Sequence, residues 1–255
     1  MDIPENRFKR AIAAGRQQIG LWCSQPSAQT AEALATCGYD WMVLDTEHAP
    51  GDPLTVYEQL RAVAPYPVAP LVRPAANDAV LIKRILDAGA QTLIVPQVQN
   101  RREAAAAVAA VRYPPRGIRG VAGNTRANRF GLVEDYYARA EAEICLILQA
   151  ETREALDELE AIASLEGVDG VFIGPADLAA SLGHLGNQGH PDVRKAVLDA
   201  IRRVRKAGKP AGILTLDREF AHECMTAGSV FTAVDVDVAI LTRGARRIAA
   251  DFRKG

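Results

Sequence analysis

Four stretches of this chain carry side chains suited to moving a proton, holding a cation or stabilising negative charge. Asp45-Thr46-Glu47-His48 places a histidine three residues beyond an aspartate. Imidazole is a ready acid or base near neutrality, and a nearby carboxylate can orient it and raise its basicity. His48 is therefore the candidate acid/base, with Asp45 as its orienting partner. Arg73 offers a fixed positive fork for charge that develops during a reaction. Gln149-Ala150-Glu151 and Gly174-Pro175-Ala176-Asp177 add an amide and two carboxylates. Glu151 and Asp177 together supply hard oxygen donors for one Mg2+ or Mn2+ ion, with positions left for water and substrate. An ion pair with Arg73 is the competing reading of those carboxylates. Zinc suits the set less, since no second histidine follows a strand.

Lysine narrows the chemistry further. The chain has Lys9, Lys83, Lys195, Lys206, Lys209 and Lys254, all on helical patterns or ahead of a strand. Imine chemistry needs a lysine in the site, so metal-assisted chemistry is the expectation. Pro175 also opens a helical stretch at Leu178–Leu182, where free N–H groups would suit a substrate carboxylate; a plain capped turn would have the same sequence.

These groups must be brought to one place, and the pattern of the chain says how. Near-continuous apolar runs occur at Gln18–Trp22, Trp41–Leu44, Val68–Val72, Thr92–Val95, Ile144–Leu148, Gly170–Ile173, Ala211–Leu214 and Val230–Val234. Such runs suit parallel strands covered on both faces. Helical patterns lie between them, at Asp78–Ala88, Arg101–Val111, Thr152–Leu165, Asp192–Ala207 and Arg218–Ala227, and a short helix over residues 5–14 precedes them. Repeated strand–helix units in 255 residues predict a single-domain (β/α)8 TIM barrel spanning 1–255, with its site at the C-terminal strand ends. An open doubly wound sheet is weakened by the lack of GxGxxG after the first strand. The connection Pro96–Glu143 is unusually long and rich in Pro and Gly. The loops Thr215–Asp217 and Asp235–Asp237 are poor in glycine, against a phosphate site of the usual barrel type.

Composition excludes other classes. A net charge of -1 leaves no basic footprint for nucleic acid. The N-terminus is polar and no apolar run is long enough to span a bilayer. Cys23, Cys37, Cys145 and Cys224 form no CxxC pair and read as reduced core thiols of a cytoplasmic protein.

The chain resembles the class II pyruvate aldolases of the 4-hydroxy-2-oxoheptanedioate aldolase (HpcH/HpaI) family over nearly its whole length. The resemblance rests on Asp45–Pro50, Val72-Arg73-Pro74, Leu86–Gly89, Arg112–Gly120, Gln149–Arg153 and Gly170–Leu178, in that order. It implies His48 as acid/base with Asp87 raising its basicity, Arg73 as enolate stabiliser, and Glu151 and Asp177 as ligands of one divalent ion (Mg2+, Mn2+ or Co2+). Gln149, Ala176 and Asp177 would contact pyruvate, with Gly174, Pro175, Trp22 and Leu214 beside it. It also implies a homo-hexamer built as a dimer of trimers. Ala150 and the loop Val121–Gly131 depart from the family pattern. The implied reaction is cleavage of a 4-hydroxy-2-oxo acid to pyruvate and an aldehyde. Decarboxylation of a 2-oxo diacid at the same site, and a non-catalytic 2-oxo acid sensor, are the alternatives.

Overall fold

Eight strands pair in parallel and in chain order, and the last returns to the first to close a barrel. They are β1 (Gln18–Cys23), β2 (Trp41–Asp45), β3 (Ala69–Arg73), β4 (Thr92–Val95), β5 (Cys145–Ala150), β6 (Gly170–Ile173), β7 (Ala211–Leu214) and β8 (Ser229–Val236). The helices are α1 (Arg7–Ala13), α2 (Ala28–Ala35), α3 (Pro53–Val63), α4 (Ala79–Asp87), α5 (Arg101–Val111), α6 (Tyr136–Glu143), α7 (Arg153–Asp157), α8 (Leu159–Ala163), α9 (Pro175–Ser181), α10 (Pro191–Lys206), α11 (Arg218–Ala227) and α12 (Asp237–Phe252). This computed structural model describes residues 1–253; Lys254 lies outside them.

The strands are apolar on both faces because both faces are covered. Trp41, Val43, Leu71, Ile94, Ile147, Phe172 and Phe231 fill the barrel interior, while Leu21, Met42, Leu44, Val72, Leu93 and Leu148 meet the helices outside. Glycine makes room for the largest rings inside. A Cβ on Gly20 would sit 2.2 Å from the Trp41 ring, and one on Gly212 2.1 Å from Phe231. Helix α1 closes the N-terminal end of the barrel. Asn6 caps it through Lys9 N–H, and Phe8 packs edge-on against Phe231 and tilted against Trp41, at centroid distances of 5.7 and 5.8 Å. The catalytic groups of such a barrel belong at the other, C-terminal end of the strands.

The structure differs from the sequence reading in definite places. The helix expected over Thr152–Leu165 is two helices, α7 and α8, interrupted at Glu158. The long connection holds a further helix, α6, beside α5. Residues Asp235 and Val236 belong to β8, and Asp237 starts α12 while its carboxylate accepts from the Ser24 and Gln25 N–H groups. Cys37 is exposed just after α2, so only Cys23, Cys145 and Cys224 are core thiols.

Candidate active site

Register builds the site from β2 and β3 first. Asp45 and Arg73 are direct partners across that ladder, so their side chains emerge together. Arg73 donates from Nε to Asp45 Oδ1 at 2.7 Å and from Nη2 to Oδ2 at 2.6 Å. Its guanidinium also lies 4.7 Å from the Trp22 ring centroid, and Trp22 Nε1 donates to Asp45 at 3.3 Å. Burial alone would raise the Asp45 pKa; the hydrogen bonds and charge of Arg73 outweigh it, and the net effect lowers it. Asp45 therefore fixes Arg73 as a bidentate fork. It does not orient His48, as its spacing had suggested, because its oxygens are engaged by Arg73, Trp22 and the Glu47 N–H.

The acid nearest His48 is Glu47, with Oε2 4.0 Å from His48 Nε2. That same buried oxygen is 2.7 Å from Arg73 Nη1 yet is out of line for a hydrogen bond. Burial raises the Glu47 pKa against the pull of Arg73 and His48. Glu47 received no role from the sequence. The available signal was its place between Asp45 and His48, just beyond the end of β2.

The opposite wall comes from β5 and β6. Glu151 follows β5 and is 1% exposed. Its Oε1 accepts from Gln97 N–H at 2.8 Å, a bond made possible by the left-handed backbone of Gln97 at φ 55. Its Oε2 accepts from Gln149 Nε2. Burial, with the charges of Glu47 and Asp177 adding, pushes the Glu151 pKa up to about 7. Among the described residues, no lysine or arginine forms an ion pair with Glu151 or Asp177, so the competing reading, a bridge from Arg73, is not realised. Gly174 runs close under this carboxylate. A Cβ there would lie 2.4 Å from Glu151 Oε2 and 2.9 Å from Gln149 Nε2.

One cavity of about 250 Å³ joins these walls. Trp22, His48, Arg73, Gln149, Glu151, Gly174, Pro175, Ala176, Asp177 and Leu214 line it, together with Phe172, Gln188, Leu216 and Val236. The last four were not singled out in the sequence, where nothing marks an apolar or glycine-flanked residue as a cavity wall. The described lysines are absent from the lining. Asp87 is absent too. It ends α4, and its carboxylate accepts from the buried Arg119 at 2.9 Å, so the structure does not bring it to His48. A larger cleft of about 610 Å³ opens between Pro4–Arg7 and Ala64–Pro70, at the end of the barrel where strands begin and catalytic groups do not gather.

The residues fit a divalent cation. Two carboxylates without an ion-pair partner share a cavity, and burial together with the charges of Glu47 and Asp177 pushes the pKa of one of them, Glu151, up to about 7. Beside them Gln149 Oε1 is buried with no hydrogen-bond partner. An all-oxygen donor set of this kind suits a hard ion such as Mg2+ or Mn2+.

Comparison with known proteins identifies the family of the chain. The family model described as HpcH/HpaI aldolase/citrate lyase matches residues 18–243. A Rhizobium etli protein named pyruvate aldolase is 62% identical over 252 residues, covering 99% of both chains. An Escherichia coli protein named 4-hydroxy-2-oxo-heptane-1,7-dioate aldolase is 51% identical over 249 residues, covering 97% of this chain and 95% of its own. The crystal structure of an HpcH/HpaI aldolase/citrate lyase family protein from Burkholderia cenocepacia superposes with a TM-score of 0.94 at 43% identity, over 98% of this chain and all of that one.

Proposed function

Because this chain belongs to the HpcH/HpaI aldolase/citrate lyase family, we infer that it is an aldolase, a carbon–carbon lyase that yields pyruvate and an aldehyde. The observation that carries the reading is the convergence of His48, Arg73, Gln149, Glu151 and Asp177 on one cavity at the open end of the barrel.

In this proposal Glu151 and Asp177 hold one divalent ion, Mg2+, Mn2+ or Co2+. When bound, such an ion supplies Lewis-acid polarisation of the 2-oxo group. The rest is work for the chain itself. The substrate is a 4-hydroxy-2-oxo acid such as 4-hydroxy-2-oxoheptanedioate. Its C1 carboxylate lies against the backbone of Gly174-Pro175-Ala176-Asp177, where no side chain caps the N–H groups, and Gln149 lies beside it. His48, on the exposed side of the cavity, takes the proton of the C4 hydroxyl. The C3–C4 bond breaks, its electron pair passes into the enolate, and the aldehyde leaves. Arg73, immobilised by Asp45, stabilises the enolate oxygen. Return of the proton from His48 to C3 gives pyruvate. Trp22, Phe172 and Leu214 keep water from the enolate. Asp87, paired with Arg119, has no part in these steps within one chain.

We further propose one barrel domain over the whole chain, a homo-hexamer and a cytoplasmic location. Support for assembly is the apolar surface left uncovered. Helix α12 exposes Leu241, Ile248 and Phe252, and the long connection exposes Ile118, Val121, Phe130 and Leu132. Among the described residues no helix is long and apolar enough to cross a membrane.

The decisive experiment offers the protein pyruvate, a panel of aldehydes and Mn2+, Mg2+ or Co2+, with products read by mass. New 4-hydroxy-2-oxo acids are expected, lost on exhaustive chelation and regained on adding the ion. Absence of any such product would overturn the aldolase reading, and a pyruvate adduct trapped by borohydride would overturn its metal-assisted mechanism.

A further inference from the structure

The loop between α9 and α10 holds two histidines for which the aldol steps have no use. The rings of His184 and His190 stack with centroids 3.6 Å apart and planes 16° from parallel. Both face the same carboxylate: His184 Nε2 is 3.6 Å and His190 Nδ1 3.7 Å from Asp192 Oδ2. One donor atom from each of the three lies within 4.8 Å of the others, and among the described residues no other histidine, cysteine or acid trio is so close. The backbone between them is pinned. His184 N–H donates to Ala179 O at 2.7 Å, Asn187 N–H to His184 O at 2.9 Å and His190 N–H to Asn187 O at 3.2 Å. Pro191 then starts α10.

We propose that His184, His190 and Asp192 form a second metal site, separate from the carboxylate pair and selective for a borderline transition ion such as Zn2+ or Ni2+. Two imidazoles and one carboxylate suit those ions, whereas Mg2+ favours oxygen donors. Donors around tetrahedral zinc stand about 3.3 Å apart, given bonds of about 2.0–2.1 Å, so the distances to Asp192 close by a few tenths of an ångström. The stacked rings must also turn about Cβ–Cγ to aim their lone pairs at one point, and His190 Nδ1 gives up its bond from the Asp192 N–H. Asp192 is 72% exposed in its side chain and free to follow. Water completes the coordination.

The position gives the site a consequence. The segment Leu185–Gly189 lies between the two histidines, and its Gln188 lines the catalytic cavity. An ion clamped at the ends of that segment restrains one wall of the cavity without touching Glu151 or Asp177.

The test is equilibrium dialysis against micromolar Zn2+ in saturating Mg2+, with metal analysis. It compares the wild type with the double variant His184→Gln, His190→Asn, in which asparagine keeps the helix cap. The wild type is expected to hold one zinc ion more per chain than the variant. Co2+ in place of Zn2+ should give the wild type a visible absorption band from nitrogen ligation that the variant lacks. Equal zinc content in the two proteins overturns the proposal, as does an unchanged cobalt spectrum. Matched thermal melts show that the variant is folded; if it is not, His184→Gln alone carries the same comparison.

Discussion

At the scale of single residues, His48 and Arg73 share a cavity but should fail differently. Aldol cleavage needs a hydroxyl proton removed; loss of carbon dioxide from oxaloacetate does not, yet both pass through the pyruvate enolate. His48→Ala is expected to lose about 10²–10⁴-fold in aldol cleavage while keeping much of any oxaloacetate decarboxylation. Loss of the Arg73 fork should lower both rates by about 10²–10³-fold. Arg73→Ala also strands the buried Asp45 and Glu47, a change that costs about 3–5 kcal/mol, so Arg73→Lys is the safer partner experiment. Rates of both reactions at saturating metal decide the matter. Equal loss of both in His48→Ala would make His48 a positioning group. Glu151 carries its own signature. Its folded pKa is raised from 4.5 to about 7, so in metal-free protein its contribution to stability is fully present below pH 4.5 and is lost as pH rises towards 7. The loss is a few kcal/mol. Melting of the chelated protein across that window should show the slope, and Glu151→Gln should flatten it. The residue types of the site were legible in the sequence because few apolar strands end in Asp, Arg, Gln-x-Glu and Gly-Pro-x-Asp. Partnerships were not. Asp45 answers to Arg73 across a ladder and Asp87 to Arg119 from the far side of a long connection, and spacing along the chain reports neither.

At the scale of elements, the turn from β6 into α9 is the tightest constraint. Gly174→Ala would push a Cβ into Glu151 and Gln149. Such overpacking costs about 1–3 kcal/mol, and displacing a metal-holding carboxylate lowers metal affinity about 10–100-fold. Calorimetric titration with Mn2+ alongside a melt measures both; an unchanged affinity would detach Glu151 from the metal. The strands were legible because a strand covered on both faces writes itself as an unbroken apolar run. Their ends were read short, since Asp45, Arg73, Gln149 and Ala150 continue the ladder after the apolar residues stop. The break between α7 and α8 was hidden because Ala155, Leu159 and Ile162 keep helical spacing straight through it, and Glu158 is neither glycine nor proline. Helix α12 was not singled out in the sequence; only Asp237 of its residues is buried, and its apolar Leu241, Ile248 and Phe252 are exposed.

At the scale of the molecule, that uncovered helix bears on assembly. Light scattering at micromolar concentration is expected to give a hexamer, and Leu241→Glu with Ile248→Glu to give smaller species of unchanged barrel fold by circular dichroism. A clean wild-type monomer would refute the assembly. The plug at the other end of the barrel has a kinetic meaning. With Phe8 sealing the floor, everything that enters or leaves the site uses one door. In the proposed mechanism pyruvate, formed against Arg73 and the β6–α9 turn, would sit behind the aldehyde and depart last. Product inhibition of the cleavage reaction should therefore be competitive for pyruvate against the hydroxy-oxo acid and non-competitive for the aldehyde. The reverse pattern would mean that the inner product has a second way out.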